Sequence, residues 1–189
     1  MITDIYFQDR FSHVDLARLA IEGGADTIQF REKLGSSNDH IGTAKQVLEV
    51  CAQASIPLVI NDHVSIAQAI QADGVHLGTT DLAIRDARAL LGESVIIGAT
   101  ATTCAQATAA ENAGADYIGF GPVYETKSKK NPASVKGLDG LRSVCDAVNI
   151  PVIAIGGINV DRIEAVIEAG AHGVAIITAI ATYAMRNLH

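Results

Sequence analysis

The chain has 189 residues, 49% of them hydrophobic and 4% aromatic with no Trp, which suits one α/β domain with a core of Val, Ile, Leu and Ala. Its net charge of −7 excludes a general nucleic-acid or anionic-membrane binder, and an anionic ligand would need a local cluster of cations acting against the global field. No apolar run reaches membrane-spanning length, no signal peptide is evident, and Cys51, Cys104 and Cys145 show neither CxxC nor zinc spacing, so the expectation is a cytoplasmic protein with buried, reduced thiols.

A short β-type run recurs eight times: Ile2–Ile5, Thr27–Arg31, Leu58–Asn61, Gly74–Leu77, Val95–Ala99, Tyr117–Gly121, Val152–Ile155 and Gly173–Ile177. Most are continuous apolar stretches, as in strands covered on both faces. Helical patterns lie between them. Ile41, Ala44, Val47, Leu48 and Cys51 form one apolar stripe; Cys104, Ala107 and Ala110–Ala113 form another; Ile163, Val166 and Ile167 a third. A small-residue turn recurs four times before a strand: Gly24-Ala25-Asp26, Ala72-Asp73-Gly74, Gly114-Ala115-Asp116 and Gly170-Ala171-His172. Its glycines fit the left-handed residue that closes a helix.

The repeat spans two βα units and so predicts eight strands in a (β/α)8 TIM barrel, a single domain over residues 1–189. It would be a minimal barrel, since about 250 residues is typical. An open doubly wound sheet is the alternative, but it would show a glycine-rich fingerprint after strand 1, where Thr3-Asp4-Ile5-Tyr6 stands. The termini read as clipped: eleven residues follow Thr178, and no helix precedes strand 1.

Active sites of such barrels lie at the C-terminal ends of the strands. Strand 2 exits as Gln29-Phe30-Arg31-Glu32-Lys33, where alternation points Gln29, Arg31 and Lys33 the same way. Strand 3 exits through Asn61-Asp62-His63, and strand 4 exits as His76-Leu77-Gly78-Thr79-Thr80-Asp81. Two carboxylates, Asp62 and Asp81, near two cations suit a Mg²⁺-diphosphate. The blander reading of Asp81 is an N-cap for a helix starting at Leu82. The loop after strand 6 holds Lys127, Lys129, Lys130 and Lys136 beside Thr126 and Ser128, a long polar run expected to act as an anion-binding lid. After strand 7, Gly156-Gly157 would let the backbone approach a phosphate, with Ile177-Thr178 after strand 8 completing that site. His13, His40 and His172 read as surface or packing residues, and His76 as structural.

These stretches resemble the thiamine-phosphate synthase family, which also contains the thiazole tautomerase TenI. The likeness is carried by Ile28-Gln29-Phe30-Arg31-Glu32-Lys33, Ile60-Asn61-Asp62, the run from Ala72 to Gly78, the run from Gly114 to Tyr124, Ala154-Ile155-Gly156-Gly157-Ile158 and the run from Gly173 to Ile180, in order along nearly the whole chain. The resemblance implies a transferase of thiamine biosynthesis. Hydroxymethylpyrimidine diphosphate loses pyrophosphate through a dissociative, Mg²⁺-assisted step, and the nitrogen of a thiazole phosphate attacks the pyrimidine methylene to give thiamine phosphate.

By motif position the resemblance implies that Gln29, Arg31, Lys33, Asn61 and Lys129 bind the pyrimidine diphosphate, with Arg31, Lys33 and Lys129 catalytic. It implies that Asp62 and Asp81 hold Mg²⁺, and that Thr126, Ser128, Gly157, Ile177 and Thr178 bind the thiazole phosphate. The partners it implies are these small molecules, with no nucleic acid or membrane; homo-oligomerisation stays open.

Departures cluster after strand 5. Where the family usually has Gly-Val-Ser-x-His-Thr, this chain reads Gly98-Ala99-Thr100-Ala101-Thr102-Thr103. Thr100 keeps a hydroxyl at the diphosphate-binding Ser, but the His is lost to Thr102, which argues against a TenI-like tautomerase. Thr79 stands where Gln is common. A barrel that only binds a phosphorylated ligand is the non-enzymatic alternative; the presence of both Asp62 and Asp81 weighs against it.

Overall fold

The computed structural model describes residues 1–6, 10–126 and 134–177. Among them strands and helices alternate: β1 (Ile2–Thr3), α1 (His13–Glu22), β2 (Ile28–Phe30), α2 (Ser37–Gln53), β3 (Leu58–Asn61), α3 (Val64–Ile70), β4 (Gly74–Leu77), α4 (Ile84–Leu91), β5 (Ile96–Ala101), α5 (Cys104–Asn112), β6 (Tyr117–Phe120), α6 (Gly137–Ala147), β7 (Val152–Ile155), a 3₁₀ turn (Val160–Arg162), α7 (Ile163–Glu168) and β8 (Gly173–Ala175). The strands stand in the sheet in chain order, β1 to β8, as the (β/α)8 class requires. No helix among the described residues is long and apolar enough to cross a membrane.

The described residues form two compact units. The first holds Met1–His76 and Leu90–Ile96. Its strands pair in parallel, with Ile28 opposite Leu58 and Phe30 opposite Ile60. Leu16, Val47, Cys51, Ile28, Phe30 and Leu58 are buried where α1 and α2 cover these strands. Both helices open on capping boxes: Ser12 with Asp15, and Ser36 with Asp39.

The second unit holds Leu77–Ala89 and Ile97–Ile176. Its strands are also parallel, with Gly98 opposite Tyr117, Thr100 opposite Gly119 and Ile118 opposite Val152. Its core gathers Ile118, Phe120, Leu141, Val144, Val152, Ala154 and Val166.

Five strand ends differ from the sequence expectation, those of β2 and β6 by the last residue only. β1 stops at Thr3 and β8 at Ala175. β1 ends early because Asp4 turns its carboxylate back to accept from the Tyr6 N–H at 2.9 Å, which ends the ladder. β5 extends to Ala101, so Thr100 lies inside a strand. Ile97, Ala99 and Ala101 share one buried face, while half-buried Thr100 lies on the other face with buried Gly98. A β-carbon at position 98 would coincide with the Tyr117 ring, so the bare glycine makes room for the tyrosine. Two helical stripes are narrower than expected, for Ile167 is exposed on α7 and Leu48 is only half-buried on α2.

The four-fold turn repeat has a physical cause. Gly24, Gly114 and Gly170 have φ of 85°, 96° and 99°, the left-handed values expected of helix-closing residues. Gln71 takes the same conformation at φ 54°, with a side chain in place of glycine. The aspartate that follows has its own task. Asp73 accepts from the Leu58 N–H at 2.8 Å, and Asp116 from the Ile97 N–H at 2.7 Å. Each carboxylate thus pins the start of the preceding odd-numbered strand, the first residue of β3 and the second of β5. Asp116 also pairs with Arg88 at 2.6 Å. Asp116→Ala leaves the buried Ile97 N–H without its acceptor, and urea denaturation is expected to show a loss of about 1–2 kcal/mol.

Candidate active site

Arg31 and Lys33 follow β2 on the side its alternation predicts, and both meet carboxylates from neighbouring strand exits. Arg31 Nη1 pairs with Asp4 beyond β1, and Lys33 Nζ pairs with Asp62 beyond β3. The two pairs differ in exposure. The Asp4 side chain is 3% exposed and that of Arg31 17%, against 18% for Asp62 and 44% for Lys33. Asp62 sits at φ 63°, a left-handed conformation uncommon away from glycine, and its N–H donates to the His76 carbonyl at 2.8 Å. Gln29 and Asn61 are half-buried on β2 and β3. The first unit therefore brings Gln29, Arg31, Lys33, Asn61 and Asp62 to adjacent strand ends.

Glu32 points the opposite way and anchors this exit. It accepts from the N–H groups of Lys33 at 2.7 Å and Leu34 at 2.8 Å, and it meets His13 Nε2 at 3.1 Å. His13 Nδ1 lies 2.8 Å from the Thr3 hydroxyl, and its ring packs on Phe30 with centroids 4.6 Å apart. A carboxylate only accepts, so the imidazole proton belongs on Nε2 and Nδ1 accepts from Thr3. Burial raises the Glu32 carboxyl, but its bonds from Leu34, His13 and Lys33 prevail and hold it below the usual range. Asp4 and the Thr3–His13–Glu32 chain escape a reading by strand exits. The available signal was an acid, Asp4, inside a predicted buried strand.

In the second unit Asp81 does not cap a helix at Leu82. α4 starts at Ile84, and the Asp81 carboxylate accepts from the Gly78 N–H at 2.7 Å, closing the turn that leaves β4. Thr100 is half-buried within β5. Thr102 is committed locally: its N–H and hydroxyl donate to Gln106 Oε1 at 2.8 and 3.0 Å. Gly156 and Gly157 have φ of 101° and 64°. A β-carbon at 156 would strike Pro122, and one at 157 the Glu125 carbonyl, so both glycines are required by the close packing of the β6 and β7 exit loops. Arg162, also unforeseen, donates to the Gly157 carbonyl at 2.6 Å and lies 4.4 Å over the Tyr124 ring. Thr126 and Ile177 are half-buried. Ser128, Lys129 and Thr178, like Lys127 and Lys130, lie outside the described residues.

A concavity of about 610 Å³ opens elsewhere, at the N-terminal ends of β3, β4 and β5, lined by Pro57, Gln71, Asp73, Leu90 and Ile96 among others. No Lys or Arg lines it, so it lacks the chemistry of an anion site.

Desolvation holds the His13 imidazole below its ordinary 6.5 and pushes His76 down to about 4, the nearby Asp62 charge opposing the second shift. Both rings stay neutral in the folded chain at pH values where the unfolded chain binds protons. Stability is therefore expected to fall as pH drops from about 6.5 toward 4, by up to about 1.4 kcal/mol per pH unit for each ring. Urea midpoints measured between pH 7 and 5 test this, and His13→Gln with His76→Gln should flatten the slope.

The sequence profile described as thiamine monophosphate synthase matches residues 1–180. A thiamine-phosphate synthase of Salinibacter ruber is 58% identical over 182 residues, 96% of this chain and 80% of that protein. One from Methanocella arvoryzae is 43% identical, spanning 100% of this chain and 91% of that protein. The solved thiamine phosphate pyrophosphorylase of Pyrococcus furiosus superposes with a TM-score of 0.85 at 38% identity, covering 94% of this chain and 84% of that one. With a family match over nearly its whole length, the chain belongs to the thiamine monophosphate synthase family.

Proposed function

We infer that the chain condenses hydroxymethylpyrimidine diphosphate with a thiazole phosphate, releasing pyrophosphate and forming thiamine phosphate. The observation that carries this reading is the cluster of Arg31, Lys33 and Asp62 at the exits of β2 and β3 in a chain of this family.

The difficult part of the reaction is the departure of pyrophosphate, whose bridging oxygen gains negative charge as the bond to the methylene breaks. Groups that stabilise this charge lower the barrier. Arg31 offers a planar fork of donors to phosphate oxygens, while Lys33 and Lys129 add charge. Gln29 and Asn61 orient the pyrimidine diphosphate through their amides, and the Thr100 hydroxyl is assigned to the same ligand by motif position. Asp62 and Asp81 would hold Mg²⁺. Their donors fit it: two hard carboxylate oxygens at strand exits, with substrate phosphates and water left to fill the shell. Bound there, the ion would act as a Lewis acid on the diphosphate. Thr126, Ser128, Gly157, Ile177 and Thr178 seat the thiazole phosphate. The attacking ring nitrogen carries a lone pair and no proton, so no general base is needed. A tautomerase would need one, and Thr102, at the position of the family histidine, is spent on Gln106.

The direct test supplies both substrates with Mg²⁺ and follows pyrophosphate release. Product should form and should vanish on chelation; no product at saturation would overturn the reading. Asp62→Ala and Lys129→Ala should each lower kcat by about 100-fold or more while leaving thiazole-phosphate affinity nearly unchanged. Equal losses in both would sink this division of roles.

A further inference from the structure

We propose that Asp4 is a positioning residue that sets the orientation of the Arg31 guanidinium toward the diphosphate. The proposal rests on the reading above that Arg31 binds that group.

The parallel register places Thr3 opposite Phe30, so the residues that follow, Asp4 and Arg31, stand side by side as their strands end. Asp4 is 5% exposed, and a carboxylate buried that deeply is costly unless it is paired. Both of its oxygens are engaged among the described residues: Oδ1 accepts from the Tyr6 N–H at 2.9 Å, and Oδ2 pairs with Arg31 Nη1. The Tyr6 bond fixes the carboxylate plane, and the carboxylate then fixes the guanidinium plane. Arginine carries its donors in a rigid fork, so holding one of them aims the rest.

The neighbouring cation is held differently. Lys33 and Asp62 are more exposed, and an ammonium is a point charge on a flexible stem. That pair can open when a ligand arrives, whereas the Asp4–Arg31 pair stays closed and keeps its donors aimed.

The test measures the affinity of Mg²⁺ with inorganic pyrophosphate by calorimetry, alongside KM for each substrate and a urea midpoint. Asp4→Asn keeps the side-chain shape and an acceptor for Tyr6, and it should weaken pyrophosphate binding roughly tenfold. KM for the thiazole phosphate should stay within about twofold, and on an Arg31→Ala background Asp4→Asn should add less than about twofold to the loss in pyrophosphate affinity. Asp4→Glu keeps the charge but moves it outward. It should also weaken pyrophosphate binding, and it carries the test if Asp4→Asn fails to fold. Unchanged pyrophosphate affinity in a folded Asp4 variant, or an undiminished effect on the Arg31→Ala background, would overturn the positioning role. Unchanged affinity in Arg31→Ala itself would instead overturn the assignment of Arg31 to the diphosphate.

Discussion

A guanidinium and an ammonium two residues apart at the end of a mostly buried parallel strand repel each other and lose hydration. Such an arrangement persists only where carboxylates stand close to both. Here β1 supplies Asp4 to Arg31 and β3 supplies Asp62 to Lys33, so the cationic exit of β2 is flanked by an acid on each neighbouring strand. This explains how a chain of net charge −7 keeps two cations together at one strand exit. It also fixes what the flanking strands must carry. β1 gives up its ladder after two residues to present Asp4, and the residue after β3 takes a left-handed conformation that presents Asp62.

A second layer of contacts keeps that exit in register. Glu32, on the opposite side from Arg31 and Lys33, joins α1 through His13 and the following turn through backbone bonds. At the strand entries the repeated aspartates Asp73 and Asp116 tie even strands to odd ones. The two ends of the strands thus have different duties: entry contacts set alignment, and exit contacts present chemistry, the division expected of this fold class.

Much of this was legible in the sequence because it depends on runs and spacings. β3, β4 and β7 fall within the bounds read from their apolar runs, and the glycine-rich turns mark where helices close. That Arg31, Lys33 and Asp62 stand at neighbouring strand exits was legible because alternation and strand ends are one-dimensional properties. Their partnerships were not. Asp4 lies 27 residues from Arg31, and pairing them requires the register of β1 against β2. The cap alternative for Asp81 arose because the sequence shows a helix nearby, but not that the turn would close on Gly78. Thr102 reads as a lost histidine until its bonds to Gln106 are seen. Gly156-Gly157 reads as a phosphate loop, while the packing against Pro122 and Glu125 that demands glycine comes from a separate part of the chain.

The Tyr117 ring lying over Gly98 has an evolutionary corollary. The two positions share one volume, so neither can change independently. A side chain at 98 becomes tolerable only after 117 has shrunk, and an intermediate carrying both is blocked by overlap. The pair is therefore expected to co-vary among relatives, large with small. The order of substitution is constrained as well, since the tyrosine must go first.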